Sequence, residues 1–215
     1  MVSTDRSVHS RNSAGGVADS PDLSLPHQSR SPANGSLVIM SRHSIRIVGD
    51  PVLVERATDV TDIDGRFVRL VDDMFTTMYE APGVGLAAPQ VGVGKRFFIY
   101  DEGDDPKVLI NPVITGSDGE WAHDEGCLSI PGLNFEIVRP KRIEVTGVDL
   151  DGNEVFMEAD EFLARIIQHE LDHLDGVLML SHLDEDQLRV AKKAIREMQM
   201  AEPEPEPARR GFRLR

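Results

Sequence analysis

A single cysteine stands in a chain of 215 residues, so no internal disulfide can form, and the pattern fits a reducing cytoplasm. Basic residues are scarce: 23 Lys and Arg face 37 Asp and Glu, for a net charge of -14. That balance disfavours binding of DNA or RNA by the surface as a whole. No apolar run approaches the roughly 20 residues of a membrane-spanning helix. The stretch Leu37–Met40 is also too short for the core of a secretion signal. What is present is ordinary for a globular chain, with 40% hydrophobic residues, enough for one domain with a sizeable core.

The sequence divides into three parts. Residues 1–40 hold nine serines, three Asp and three Arg, without helical or strand periodicity. They read as a disordered extension, because too little apolar surface is available to offset the entropy of ordering. Residues 41–200 carry the periodic patterns of one folded domain. Residues 201–215 follow as a Glu-Pro spacer and an arginine-rich, disordered tail with Arg209, Arg210, Arg213 and Arg215.

Within 41–200 three helices are expected. The first spans about Thr61 to Glu80, with Thr61 as N-cap and an apolar stripe of Ile63, Phe67, Leu70, Val71, Met74 and Met78, stopped by Pro82-Gly83. The second spans Asp160 to Leu174 and ends before Gly176. The third spans Asp184 to Met200, acidic at its start and basic later. Strands are expected at 96–100, 108–110, 142–148 and 154–157, the last two joined at Asp151-Gly152-Asn153. Strands gathered between helices without βαβ alternation indicate an α+β fold.

The chemistry concentrates in three segments. His169-Glu170-Leu171-Asp172-His173 places two imidazoles four residues apart on one helix face, where both reach one metal ion, with Glu170 beside it. Glu125-Gly126-Cys127-Leu128-Ser129 holds the only cysteine, in what reads as a tight glycine turn exposing backbone donors. Cys127, His169 and His173 would make three ligands of a tetrahedral site, leaving the fourth position to water, with Glu170 to move its proton. The Leu128 amide and the Gln90 side chain could form an oxyanion hole. Each piece has a duller reading. The histidines could be satisfied core residues continuing the stripe of Phe162 and Ile166, and Cys127 a small buried hydrophobe. The third segment, Gly83-Val84-Gly85-Leu86-Ala87-Ala88-Pro89-Gln90, cannot cradle phosphate, since no Lys-Ser/Thr pair follows. His9, His27, His43, His123 and His182 lack comparable partners and read as non-ligands.

In this order the three segments resemble the peptide deformylases, over nearly all of 41–200. The resemblance implies short antiparallel strands packed around a central metal-binding helix, with a further helix before it and another at the C-terminal end. It implies a hydrolase that removes the N-formyl group from the initiator methionine of nascent polypeptides and releases formate. Cys127, His169 and His173 would hold one divalent ion, Fe(II) before Zn, Ni or Co, with Glu170 as general acid/base. Gln90 and the Leu128 amide would bind the formyl oxygen, and Gly83 and Gly85 would flank the substrate backbone. Phe162 and Ile166 would shape the methionine pocket. Met40 would open the family's natural start. Two positions depart from the pattern. Asn134 stands where many members carry an arginine, which Arg139 or Arg142 would have to replace. Arg165 stands where an aliphatic residue is frequent, and is expected to line the pocket mouth with its charge in water. Two other readings stay open: a zinc peptidase using His182 or Glu185 as downstream ligand, and a non-catalytic ribosome-associated module. A transient ribosome contact through the arginine-rich tail is weighed against simple solvation of four arginines.

Overall fold

The computed structural model describes residues 42–200 apart from Asp104, so the expectations for 1–40 and 201–215 lie outside the described residues. Helix α1 spans Gly65–Glu80. Its cap is Asp64 rather than Thr61: the Asp64 carboxylate accepts from the Arg66 and Phe67 amides at 2.9 Å each. Thr61 instead donates its hydroxyl to Asp62. The expected stripe holds from Phe67 onward, with Phe67, Val71, Met74 and Met78 buried and Leu70 partly so, while Ile63 packs on the same cluster from before the helix.

Five strands then form one antiparallel sheet: β1 (Gly85–Ala87), β2 (Phe97–Tyr100), β3 (Lys107–Asp118), and, after a separate hairpin, β6 (Arg142–Val148) and β7 (Glu154–Asp160). The hairpin consists of β4 (Trp121–Cys127) and β5 (Ile130–Arg139) and makes a second, two-stranded sheet. Strand β3 is far longer than the expected 108–110. Asn111 and Pro112 look like breakers, but a bulge absorbs them. Asn111 adopts φ 50, and its side chain accepts from the Val60 amide through Oδ1 and donates to the Val60 carbonyl through Nδ2, each at 2.9 Å. The β6–β7 turn forms as expected, with Gly152 at φ 83.

Strand β2 explains how the sheet is covered. Phe98 and Tyr100 join one buried cluster with Ile166, Ile167 and Leu174, while Phe97 and Ile99 join another with Phe67, Met74 and Met78. Helix α1 and the later helix α2 (Glu161–Leu174) therefore pack on opposite faces of β2. Burying a side chain such as Phe98 stabilises by roughly 1.5–3 kcal/mol. A third cluster, of Cys127, Ile130, Ile137, Met179 and Ile195, lies between the hairpin and helix α3 (Glu185–Met200).

Strand β7 runs into α2 without a loop. Asp160 ends the strand, Glu161 turns the chain at φ 44, and the Glu161 amide donates to the Lys141 carbonyl at 2.8 Å. The helix ends at Leu174, followed by Gly176 in the left-handed region at φ 72, as expected. No helix among the described residues is long and apolar enough to cross a membrane.

Candidate metal centre

Helix α2 turns its inner face, with Ile166, His169, Glu170 and His173 buried, towards β1 and the hairpin. Cys127 is the last residue of β4. Gly126 is not in a turn: it lies within the strand, where a Cβ would collide with the Asn134 side chain, and the turn follows at Leu128-Ser129. Cys127, His169 and His173 offer three donor atoms that all lie within 4.8 Å of one another. Cys127 Sγ and His173 Nε2 are 3.2 Å apart. Among the described residues no other such group of His, Cys, Asp and Glu forms. The duller reading of satisfied core histidines fails for His173, whose buried Nδ1 has no partner. Burial pushes His173 well below the usual imidazole range, into the neutral form that a metal ligand needs. A soft thiolate and two imidazoles fit one divalent transition-metal ion.

Two carboxylates flank His169. Glu125 accepts at 2.7 Å from His169 Nδ1, so Nε2 is the nitrogen left for a metal. Burial would lower His169, but its contacts with Cys127 and Glu125 outweigh that and raise it well above the usual imidazole range. Burial would raise Glu125, but hydrogen bonds and charge from Arg139 and His169 outweigh it and hold the carboxyl far below its usual range. On the other side, burial raises Glu170 to about 7. One Glu170 oxygen has no partner, and the other lies where a Cβ on Gly85 would be.

Gln90 sits in a buried 3-10 turn, Ala88–Val91. Its Oε1 accepts from the Ala87 amide at 2.8 Å, so its Nε2 points at Ser129 Oγ (3.2 Å) and towards Cys127 Sγ (3.8 Å). Gly83, Gly85, Gln90, Leu128, Phe162, Ile166, His169 and Glu170 all line one cleft of about 620 Å³. Phe162 is half-exposed at its edge, and a Cβ on Gly83 would strike the Leu128 side chain.

Three expectations need correction. The Arg165 charge is not in water: the residue is 3% exposed and its guanidinium binds Glu125 at 2.9 Å. Arg139 does not replace the missing arginine at Asn134, because it is buried against Glu125 and Asp172. Arg142 lies outside this cleft, at the exposed start of β6. The downstream peptidase ligand is also absent from the cluster, since His182 pairs with Asp172 at 2.8 Å. In the sequence Glu125 stands out only as a neighbour of Cys127, but its spacing carries a signal, for a residue two before Cys127 on a strand shares its face.

The comparisons with known proteins agree. The polypeptide deformylase family model matches residues 42–189. A peptide deformylase of Agathobacter rectalis is 50% identical over 145 residues, covering 67% of this chain and 92% of the relative. One of Acidothermus cellulolyticus is 46% identical and covers 75% and 90%. Among solved structures, the peptide deformylase of Legionella pneumophila superposes with a TM-score of 0.71 at 34% identity, covering 76% of this chain and all of the other. That of Ehrlichia chaffeensis in complex with actinonin gives 0.72 at 38%, covering 75% and 100%. With more than two thirds of its length matched, this chain belongs to the polypeptide deformylase family.

Proposed function

We propose that residues 41–200 form a catalytic domain that removes the formyl group from N-formylmethionyl nascent chains, releasing formate. The observation that carries this reading is the buried Cys127, His169 and His173 triangle with Glu170 beside it in one cleft. Cys127, His169 and His173 hold one divalent ion, Fe(II) in preference to Zn, Ni or Co. When bound, such an ion supplies a Lewis acid and makes water more acidic near neutral pH.

The remaining chemistry falls to side chains. Glu170, raised to about 7 by burial, takes a proton from the attacking water and delivers it to the leaving amine nitrogen. The formyl carbon gains the hydroxyl, its bond to nitrogen breaks, and formate and a free amine result. Gln90 Nε2, aimed by the Ala87 contact, and the Leu128 amide stabilise the developing oxyanion, worth about 3 kcal/mol per donor. Gly83 and Gly85 leave room for the substrate backbone, and Phe162 with Ile166 receive the methionine side chain. We place this activity in the cytoplasm, with a transient ribosome contact through the arginine-rich tail as its farthest extension.

The test is formate release from a short formyl-methionyl peptide, with protein loaded anaerobically with Fe(II). Wild type should release formate, and Glu170→Ala, with the same metal content, should fall by about 10²–10⁴-fold. No release by metal-loaded wild type would overturn the reading.

A further inference from the structure

The three candidate ligands come from two pieces of structure that share no strand ladder. Cys127 ends β4 in the hairpin, His169 and His173 ride on α2, and the hairpin is not hydrogen-bonded into the five-stranded sheet. Apart from the apolar cluster with Met179 and Ile195 and the Val48 amide bond to the Ser129 carbonyl, what ties the hairpin to the helix is side chains that cross between them.

The Glu125 carboxylate is the crossing point, and it takes four donors. His169 Nδ1 and Arg139 Nη2 bind Oε1 at 2.7 Å each, while Arg139 Nε (2.8 Å) and Arg165 Nη1 (2.9 Å) bind Oε2. Two donors on each oxygen is the full capacity of a carboxylate. Arg139 reaches from β5 to β4 and, through Nη1, to Asp172 of α2 at 2.9 Å, a single contact to the helix. Arg165 comes from α2, one turn before His169, and grips both strands at once. Its Nη2 donates to the Trp121 carbonyl of β4 at 2.8 Å and to the Ile137 carbonyl of β5 at 3.0 Å. The guanidinium also stacks 5.1 Å from the Trp121 ring centroid.

Stability alone is a poor reason for this arrangement. Arg165 Nε is buried without a partner, and replacing a whole buried ion-pair cluster, all partners together, by apolar residues of similar volume is often neutral or stabilising. We infer that Arg165 is a positioning residue that docks the cysteine-bearing hairpin onto the histidine-bearing helix, and so holds Cys127 at its distance from His169 and His173. This rests on the ligand reading above for its metal consequence, but the docking itself does not require it.

Strand β4 carries the chain's only tryptophan at one end and its only cysteine at the other, so both report on the hairpin. In metal-stripped protein, the alkylation rate of Cys127 under native conditions measures how often the hairpin opens. Arg165→Met should label several-fold faster than its own fall in urea midpoint, followed by Trp121 emission, accounts for, with Arg165→Lys in between. Co(II) titrated into the stripped protein should bind Arg165→Met about 10–100-fold more weakly, with shifted visible bands. Wild-type labelling rate and Co(II) spectrum in Arg165→Met would overturn the inference, as would faster labelling that merely tracks a lowered urea midpoint. If Arg165→Met does not fold, Arg165→Lys decides on the same two readouts. Failure of wild type to bind Co(II) would instead sink the ligand reading, and the labelling rates would still decide the docking role.

Discussion

Two glutamates lie buried on either side of His169, and the surroundings drive them in opposite directions. Glu125 is enclosed by Arg139, Arg165 and His169, every lone pair occupied, and stays ionised far below the usual range. Glu170 is pressed against the glycine of β1 with an oxygen unpartnered, and burial lifts it to about 7. The lesson is that burial alone says little about a carboxyl group. Saturated with cationic donors it becomes a fixed piece of scaffold, and starved of them it becomes a group poised to exchange a proton.

The largest break in this comparison is the Glu170→Ala loss of formate release described above, which should leave folding intact. Glu125→Gln is the mirror experiment. It removes the charge that two buried arginines face, and should cost about 3–5 kcal/mol of stability in urea titrations, with metal retention falling alongside. If Glu125→Gln instead left stability and metal content intact while abolishing turnover, the roles assigned to the two carboxylates would be exchanged. Gly85→Ala sharpens the Glu170 side. A methyl there meets the carboxylate, so overpacking of about 1–3 kcal/mol is expected, together with a kcat defect larger than any change in KM. The smallest effect is a control away from both. Asp64 is held below its usual pKa by the Phe67 and Arg66 hydrogen bonds at the start of α1. Its contribution is present above the unfolded value and lost as pH falls through the folded one. Asp64→Ala should therefore lower Tm slightly at pH 7, and the gap from wild type should close in strongly acidic buffer.

Legibility followed the range of the interactions. Helix α2 and the spacing of His169, Glu170 and His173 are local, and a period of 3.6 suffices to put them on one face. The hairpin is not legible because Trp121–Cys127 shows no clean apolar alternation, and only Glu125 and Cys127 are buried. No role for Glu125 is legible locally, since the residues that neutralise it lie 14 and 40 positions away at Arg139 and Arg165. The same holds for Arg165, whose partners Glu125, Trp121 and Ile137 no local window contains. Asn111-Pro112 looked like the end of a strand because the tertiary bond from Asn111 to Val60, 51 residues off, is what carries β3 through.

The direct passage from β7 into α2 has a consequence for how such a chain can vary. With Glu161 following Asp160 and no linker between them, the rotational phase of the helix is inherited from the sheet. Adding or removing one residue ahead of His169 would turn everything after it by about 100°, swinging both imidazoles out of the cleft. Side chains around that junction are free to drift, whereas its length is not. Insertions in this protein should therefore collect away from this junction, and never between residues 160 and 169.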